Sequence, residues 1–84
     1  MLKGLVIGNV VSTKKQESLT GSKFLEVRII ENNTETDKYI VAVDSVGAGI
    51  GEEVLITTGS SARLALRNQF EHVDAVIVGI VDPK

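Results

Sequence analysis

Between Val41 and Arg63 the chain reads VAVDSVGAGIGEEVLITTGSSAR, and no other stretch limits its possible folds as sharply. Gly47, Gly49 and Gly51 alternate between two apolar runs, and Gly59-Ser60-Ser61-Ala62-Arg63 closes the second run. Glycine alone accepts positive φ without steric cost. Alternating glycines beside a strand therefore mark a backbone that turns tightly or passes close to another backbone. The expectation is a tight crossover between two strands, with Asp44, Gly47, Gly49 and Gly51 as its structural residues. Asp44 sits just before the glycines, where an aspartate typically accepts hydrogen bonds from neighbouring backbone N–H groups and fixes a turn. The alternative, a catalytic carboxylate, lacks a nucleophile–base pair anywhere in the stretch.

The same glycines invite comparison with the dinucleotide fingerprint G-x-G-x-x-G. Here the third glycine falls one position early, no helix follows, and no βαβ unit surrounds the segment. The stretch reads as architecture rather than a phosphate cradle.

Size sets the next constraint. The chain has 84 residues and reads as one domain over 1–84. A domain this short buries only roughly 60–65% of its unfolded surface, so its stability margin is thin. Small domains compensate with disulfides, metals or oligomerisation. Cysteine is absent and His72 is the only histidine, which leaves oligomerisation. His72 lies beside Glu71 and Asp74, but without a second histidine the group reads as a surface loop before the last strand. No cofactor is implied.

A formal charge of −2 with mixed signs gives no electrostatic footprint for nucleic acid or an anionic membrane. The longest apolar run, Ala75–Val81, is far too short for a bilayer, which needs about 20 residues. Met1-Leu2-Lys3 followed by Leu5–Val11 superficially resembles an export signal. Gly8 and Asn9 interrupt the run and no small-residue cleavage site follows, so it reads as a first strand in a cytoplasmic protein.

Five strands are expected. Leu5–Ser12 is rich in β-branched residues, and Phe24–Ile30 alternates with Leu25, Val27 and Ile29 on one face. The cluster Asn32–Lys38 reads as the turn of a hairpin leading into Tyr39–Val43. Glu53–Thr58 and Ala75–Val81 complete the set, and Thr13–Lys23 reads as a polar loop. One short helix fits from Ser60 to Gln69, with Ser60 or Ser61 as N-cap and Arg63 and Arg67 on one face. The fold class is mainly β: a small five-stranded antiparallel barrel of the oligonucleotide-binding type, with one helix. Nucleic-acid use of such a barrel needs aromatic platforms and a basic groove. Phe24, Phe70 and Tyr39 are the only aromatics, so that use is disfavoured.

Tyr39–Val43 and Val76-Ile77-Val78 are apolar on both faces. A barrel strand has one face toward the core and one toward solvent. Part of this outer apolar surface must therefore meet another molecule, which argues for subunit contacts.

Four blocks of the sequence, in order, resemble the bacterial microcompartment vertex proteins. This family includes the carboxysome and ethanolamine-compartment pentameric shell proteins. The blocks are Gly8-Asn9-Val10-Val11-Ser12-Thr13-Lys14-Lys15, Leu19–Leu25, Val41–Arg63 and Val73–Asp82. The resemblance implies a homopentameric ring without catalysis that closes the corners of shells tiled from hexameric proteins. For a single chain Arg63 reads as part of a solvated helix face. In a ring, rotational symmetry would make it a circle of like charges if it lay near the axis, so Ser60, Ser61 and Arg63 are candidate axial or partner contacts. The resemblance puts Lys14 and Lys15 on the rim that meets the hexamers. A free-standing ring that binds a small ligand or scaffolds an enzyme is the alternative.

Overall fold

In the computed structural model, which describes residues 1–10, 23–59 and 75–82, five strands close into a barrel. They are β1 (Leu2–Val10), β2 (Phe24–Glu31), β3 (Thr34–Asp44), β4 (Glu53–Thr58) and β5 (Ala75–Ile80). The order around the barrel is β1-β2-β3-β5-β4, so β5 inserts between β3 and β4. Every pairing is antiparallel except β3 with β5. Parity requires one exception, because a closed ring of five strands cannot alternate direction all the way round. The expectation of an antiparallel barrel holds for four of the five seams.

The alternation expected in β2 sets the core. Leu25, Val27 and Ile29 turn inward with Val6, Ala42, Val54, Ile56 and Ile77, while Glu26 and Arg28 face outward. Burial of these side chains is the main driving force for closure. One extra residue on β1 between Val6 and Gly8, relative to β2, bends the strand around this core. Gly4 allows β1 and β2 to meet closely. A methyl group there would overlap Val27 Cγ1 and lie 3.0 Å from the carbonyl oxygen of Arg28.

The β2–β3 turn is tighter than the expected Asn32–Lys38 cluster. Asn32 and Asn33 both have positive φ, 52° and 60°, and Glu31 pairs directly with Thr34. Two consecutive left-handed residues make a two-residue hairpin, and asparagine tolerates that conformation better than most residues. The polar run after them is strand, not loop. Its irregularity opposite Ile29 is bridged by Thr36, whose hydroxyl donates to the Ile29 carbonyl at 2.8 Å and accepts the Lys38 N–H at 3.2 Å. At the other end, β1 begins at Leu2 rather than Leu5, because Leu2–Leu5 pair with β4.

Candidate functional site

Parallel strands need a crossover, and here the chain makes it through β4. Leaving β3, it passes the position that β5 will occupy and enters β4, so residues 45–52 must cross the barrel end. Gly47 and Gly51 have φ of +80° and +90°, with open space where a side chain would stand. Their role is conformational. Gly49 does not share it: its φ is outside the left-handed region, and an added methyl would meet only the flexible Glu52 carboxylate at 3.4 Å. The expectation that all three glycines meet one backbone demand is thus narrowed to two of them. Gly59, at the end of β4, also has positive φ, +64°.

The crossover is tied down at both ends. Asp44 Oδ1 accepts the Val46 N–H at 3.1 Å, and its Oδ2 lies 3.7 Å from Lys23 Nζ. The Asp44 side chain is only 3% exposed, whereas that of Lys23 is 49% exposed. Lys23 also donates to the carbonyl of buried Ala48 at 2.6 Å, and its own carbonyl accepts the Asp44 N–H at 2.9 Å. Ser45 Oγ donates to the Ile77 carbonyl at 2.6 Å, fastening the exit of β3 to β5. Farther on, Glu52 Oε1 accepts the Gly49 N–H at 2.6 Å. Gly51 N–H then donates to Val6 and Val6 N–H to Glu52, at 2.8 and 3.0 Å, continuing the β1–β4 ladder. The residues act on the backbone. Asp44 is fully engaged with a backbone amide and Lys23, as a structural carboxylate is.

The outer surface carries a second organised group. On β2, Arg28 donates to the Tyr39 hydroxyl on β3 at 2.7 Å and to Glu35 at 3.4 Å. Its guanidinium carbon lies 5.1 Å from the Tyr39 ring centroid. The Tyr39 hydrogen bond, followed by the weaker influence of Glu35, raises the Arg28 pKa above its ordinary value. Tyr39 and Val41 are 51% and 50% exposed on this face. The apolar outer residues of β5 behave differently, since Val76 is buried within the chain. Among the strands, the most exposed apolar side chains at mid-strand are those of Tyr39 and Val41 on β3, with smaller exposure at Leu2, Leu55 and Ile80, and Ile50 is exposed on the crossover.

Asp44, Gly47, Gly49 and Gly51 are thus brought together in one crossover. Lys14, Lys15, Ser60, Ser61, Arg63, His72 and the expected helix lie outside the described residues. Among the described residues, no three His, Asp or Glu side chains gather as metal ligands would. Sequence reasoning passed over Lys23, which it took as the end of a polar loop. It also passed over Gly4, whose signal was only a glycine inside a β-branched run.

The family model of the ethanolamine utilisation protein EutN and its carboxysome relatives matches residues 1–82. The chain belongs to the EutN/carboxysome family. It is 49% identical over 83 residues to a bacterial microcompartment shell vertex protein, GrpN, of Rhodospirillum rubrum, covering 98% of this chain and 93% of that protein. Among solved structures, the carboxysome protein CcmL of Gloeobacter violaceus superposes with a TM-score of 0.91 at 42% identity, covering 100% and 88% of the two chains. The GrpN pentameric microcompartment shell protein of Rhodospirillum rubrum superposes with a TM-score of 0.86 at 46% identity, covering 99% and 95%. In this EutN/carboxysome barrel, the glycine crossover connects β3, the parallel neighbour of β5, to β4, which is antiparallel to both β5 and β1.

Proposed function

We propose that this chain is a structural subunit of a bacterial microcompartment shell, assembling as a homopentamer that occupies the shell vertices. The observation that carries the reading is likeness along the whole chain to named vertex proteins in both sequence and fold. The exposed Tyr39 and Val41 support self-association on independent grounds, because a small barrel without disulfides gains stability by covering such surface. Geometry explains why a fivefold unit is needed. A flat hexagonal sheet does not close, and five-membered units at twelve corners (the Euler count for a closed hexagonal net) introduce the curvature. The subunit performs no chemistry of its own and works within the bacterial cytoplasm as part of the shell. Its partners are further copies of itself and hexameric shell proteins.

The test has two steps. Light scattering of the purified chain is expected to give about 45 kDa, five times the 9.0 kDa subunit mass. Coexpression with hexameric shell proteins is then expected to recover the chain in the shell fraction. A monomer at micromolar concentration would remove the pentamer. A pentamer that never enters shells would favour the free-standing ring.

A further inference from the structure

Gly8 is the strand glycine that the barrel's own fold does not explain. Its φ lies outside the left-handed region, and beyond its chain neighbours no atom of the described residues comes within 4 Å of where a side chain would start. Gly4, by contrast, is demanded by Val27 and the Arg28 carbonyl, and the space above Gly79 is taken by Leu55 at 3.6 Å. The bulge beside Gly8 does not ask for glycine either, because only the bulge type with a left-handed residue needs one. Glycine inside a strand weakens it, and its other common use there is to let a second backbone come close.

The strand register sets two further features in line with it. Gly8 pairs with Glu26 on β2, and Glu26 pairs with Val41 on β3, so the three share one row across the outer wall. Glu26 is only part-exposed, yet its carboxylate has no hydrogen bond or ion pair among the described residues. Lys3, Lys23, Arg28 and Lys38 are each paired with another carboxylate, so no lysine or arginine of the described residues is left to serve it. Val41 is half exposed. On the other side of Gly8, the bond from the Gly51 N–H to the Val6 carbonyl brings Ile50, 64% exposed, alongside this part of β1. The row thus runs from an exposed apolar residue over a bare floor and a lone carboxylate to a second exposed apolar residue. The neighbouring row is finished by comparison, since Arg28 is engaged by Tyr39 and Glu35.

We propose that the Ile50–Gly8–Glu26–Val41 row is the seat of a second copy of this chain, whose backbone passes over Gly8 and whose N–H or cationic group donates to Glu26. The assignment rests on the vertex-pentamer reading and specifies one side of its subunit contact. That reading commits the occupant, because likeness along 99% of this chain to a pentameric shell protein puts a neighbouring copy against some part of the barrel wall. A fivefold contact is heterologous, so the neighbour meets this row with a different face of its own. Exposed apolar side chains on both sides of the bare floor supply the area to be covered, and the lone carboxylate supplies the polar contact that orients it.

The full-length chain tests this through two opposite effects of one substitution. Gly8→Leu meets neither a forbidden φ nor a crowding atom, so the dissociated chain should melt no lower than the dissociated parent. The same substitution is expected to raise the concentration of half-dissociation about tenfold or more, by holding the neighbour off β1. A second measurement does not depend on weakening anything. The chain has no cysteine, so Val41→Cys carries a single thiol on the row. Its reaction with a maleimide is expected to be several times slower in the ring than in chains diluted below half-dissociation. Thr34→Cys, at the exposed hairpin tip, should react alike in both. A parent chain that is monomeric would overturn the pentamer itself. A pentamer that Gly8→Leu leaves equally tight, or whose thiol at position 41 reacts equally fast in ring and subunit, would overturn only this seat. A thiol protected only once hexameric shell proteins are added would also overturn it, placing them on the row instead. A dissociated Gly8→Leu chain that melts well below the parent would overturn the reading of Gly8 as a point of approach, and the thiol then decides the row alone.

Discussion

Removing the Asp44 side chain tests how the crossover is held. Asp44→Ala deletes an acceptor for the Val46 N–H at 3.1 Å and the charge 3.7 Å from Lys23 Nζ. The ion pair contributes little, because Lys23 is half exposed and solvent screens it; pairs of this kind are typically worth about 0.2–1 kcal/mol. The hydrogen bond to a carboxylate that is itself buried is the larger loss, roughly 1.5 kcal/mol at the low end of charge-assisted values. Together they predict a destabilisation of about 2 kcal/mol. For a domain of this size that lowers the melting temperature by about 8–16 °C. Asp44→Asn keeps an acceptor for Val46 and should cost about half as much. Lys23→Met strands the carbonyl of buried Ala48, and so should cost roughly 1–3 kcal/mol although Lys23 is half exposed. The assay is thermal unfolding followed by circular dichroism. Protein concentration is held fixed, because dissociation of an oligomer makes the midpoint concentration-dependent. Repetition at high salt should change the three values only slightly, since the hydrogen bonds dominate. Equal losses for Asp44→Asn and Asp44→Ala would show that charge, not turn geometry, carries the effect. A loss below about 0.5 kcal/mol for Asp44→Ala would show that the Asp44 side chain does not hold the crossover.

Gly51→Val should cost about 1–3 kcal/mol by backbone strain alone, since nothing crowds that site; Gly49→Ala should melt within a few degrees of the parent. Parallel thermal melts decide this, and equal losses at both positions would contradict the division between them. Gly4→Ala should cost about 1–3 kcal/mol by overpacking against Val27 and the Arg28 carbonyl, read as a lower midpoint in denaturant at unchanged slope. A neutral Gly4→Ala would mean that β1 and β2 separate more easily than their packing indicates. Fluorescence anisotropy with a mixed-sequence single-stranded oligonucleotide should detect no binding at physiological salt, given three aromatics and a charge of −2. Salt-sensitive micromolar binding would reopen the nucleic-acid reading of the barrel.

Patterns set by one strand's own side chains were legible in the sequence. Leu25, Val27 and Ile29 alternate because one face of β2 is core, and Glu53–Thr58 is bounded by polar and glycine signals at both ends. What depends on a neighbour was not legible. The need for glycine at position 4 comes from Val27 and Arg28 on another strand, and nothing near Gly4 announces it. Lys23 reads as loop polarity until the fold brings it to Ala48, 25 positions away. Positive φ at Gly47 and Gly51 but not at Gly49 is a property of the path across the barrel end, which composition does not encode. The two-residue Asn32-Asn33 turn was hidden by the polar strand after it, whose bulge admits residues that usually mark loops. The outer apolar surface was legible as a quantity, but only the fold separates buried Val76 from exposed Val41.

If this chain closes shell corners, shell integrity depends on it. Hexameric shell proteins and an encapsulated fluorescent enzyme would be coexpressed with and without the chain, in cells lacking any other vertex protein. The shells would then be imaged by electron microscopy and assayed for leakage of the enzyme. Closed, tight polyhedra are expected with the chain, and open or elongated, leaking assemblies without it. Shells equally closed and equally tight in its absence would contradict the account.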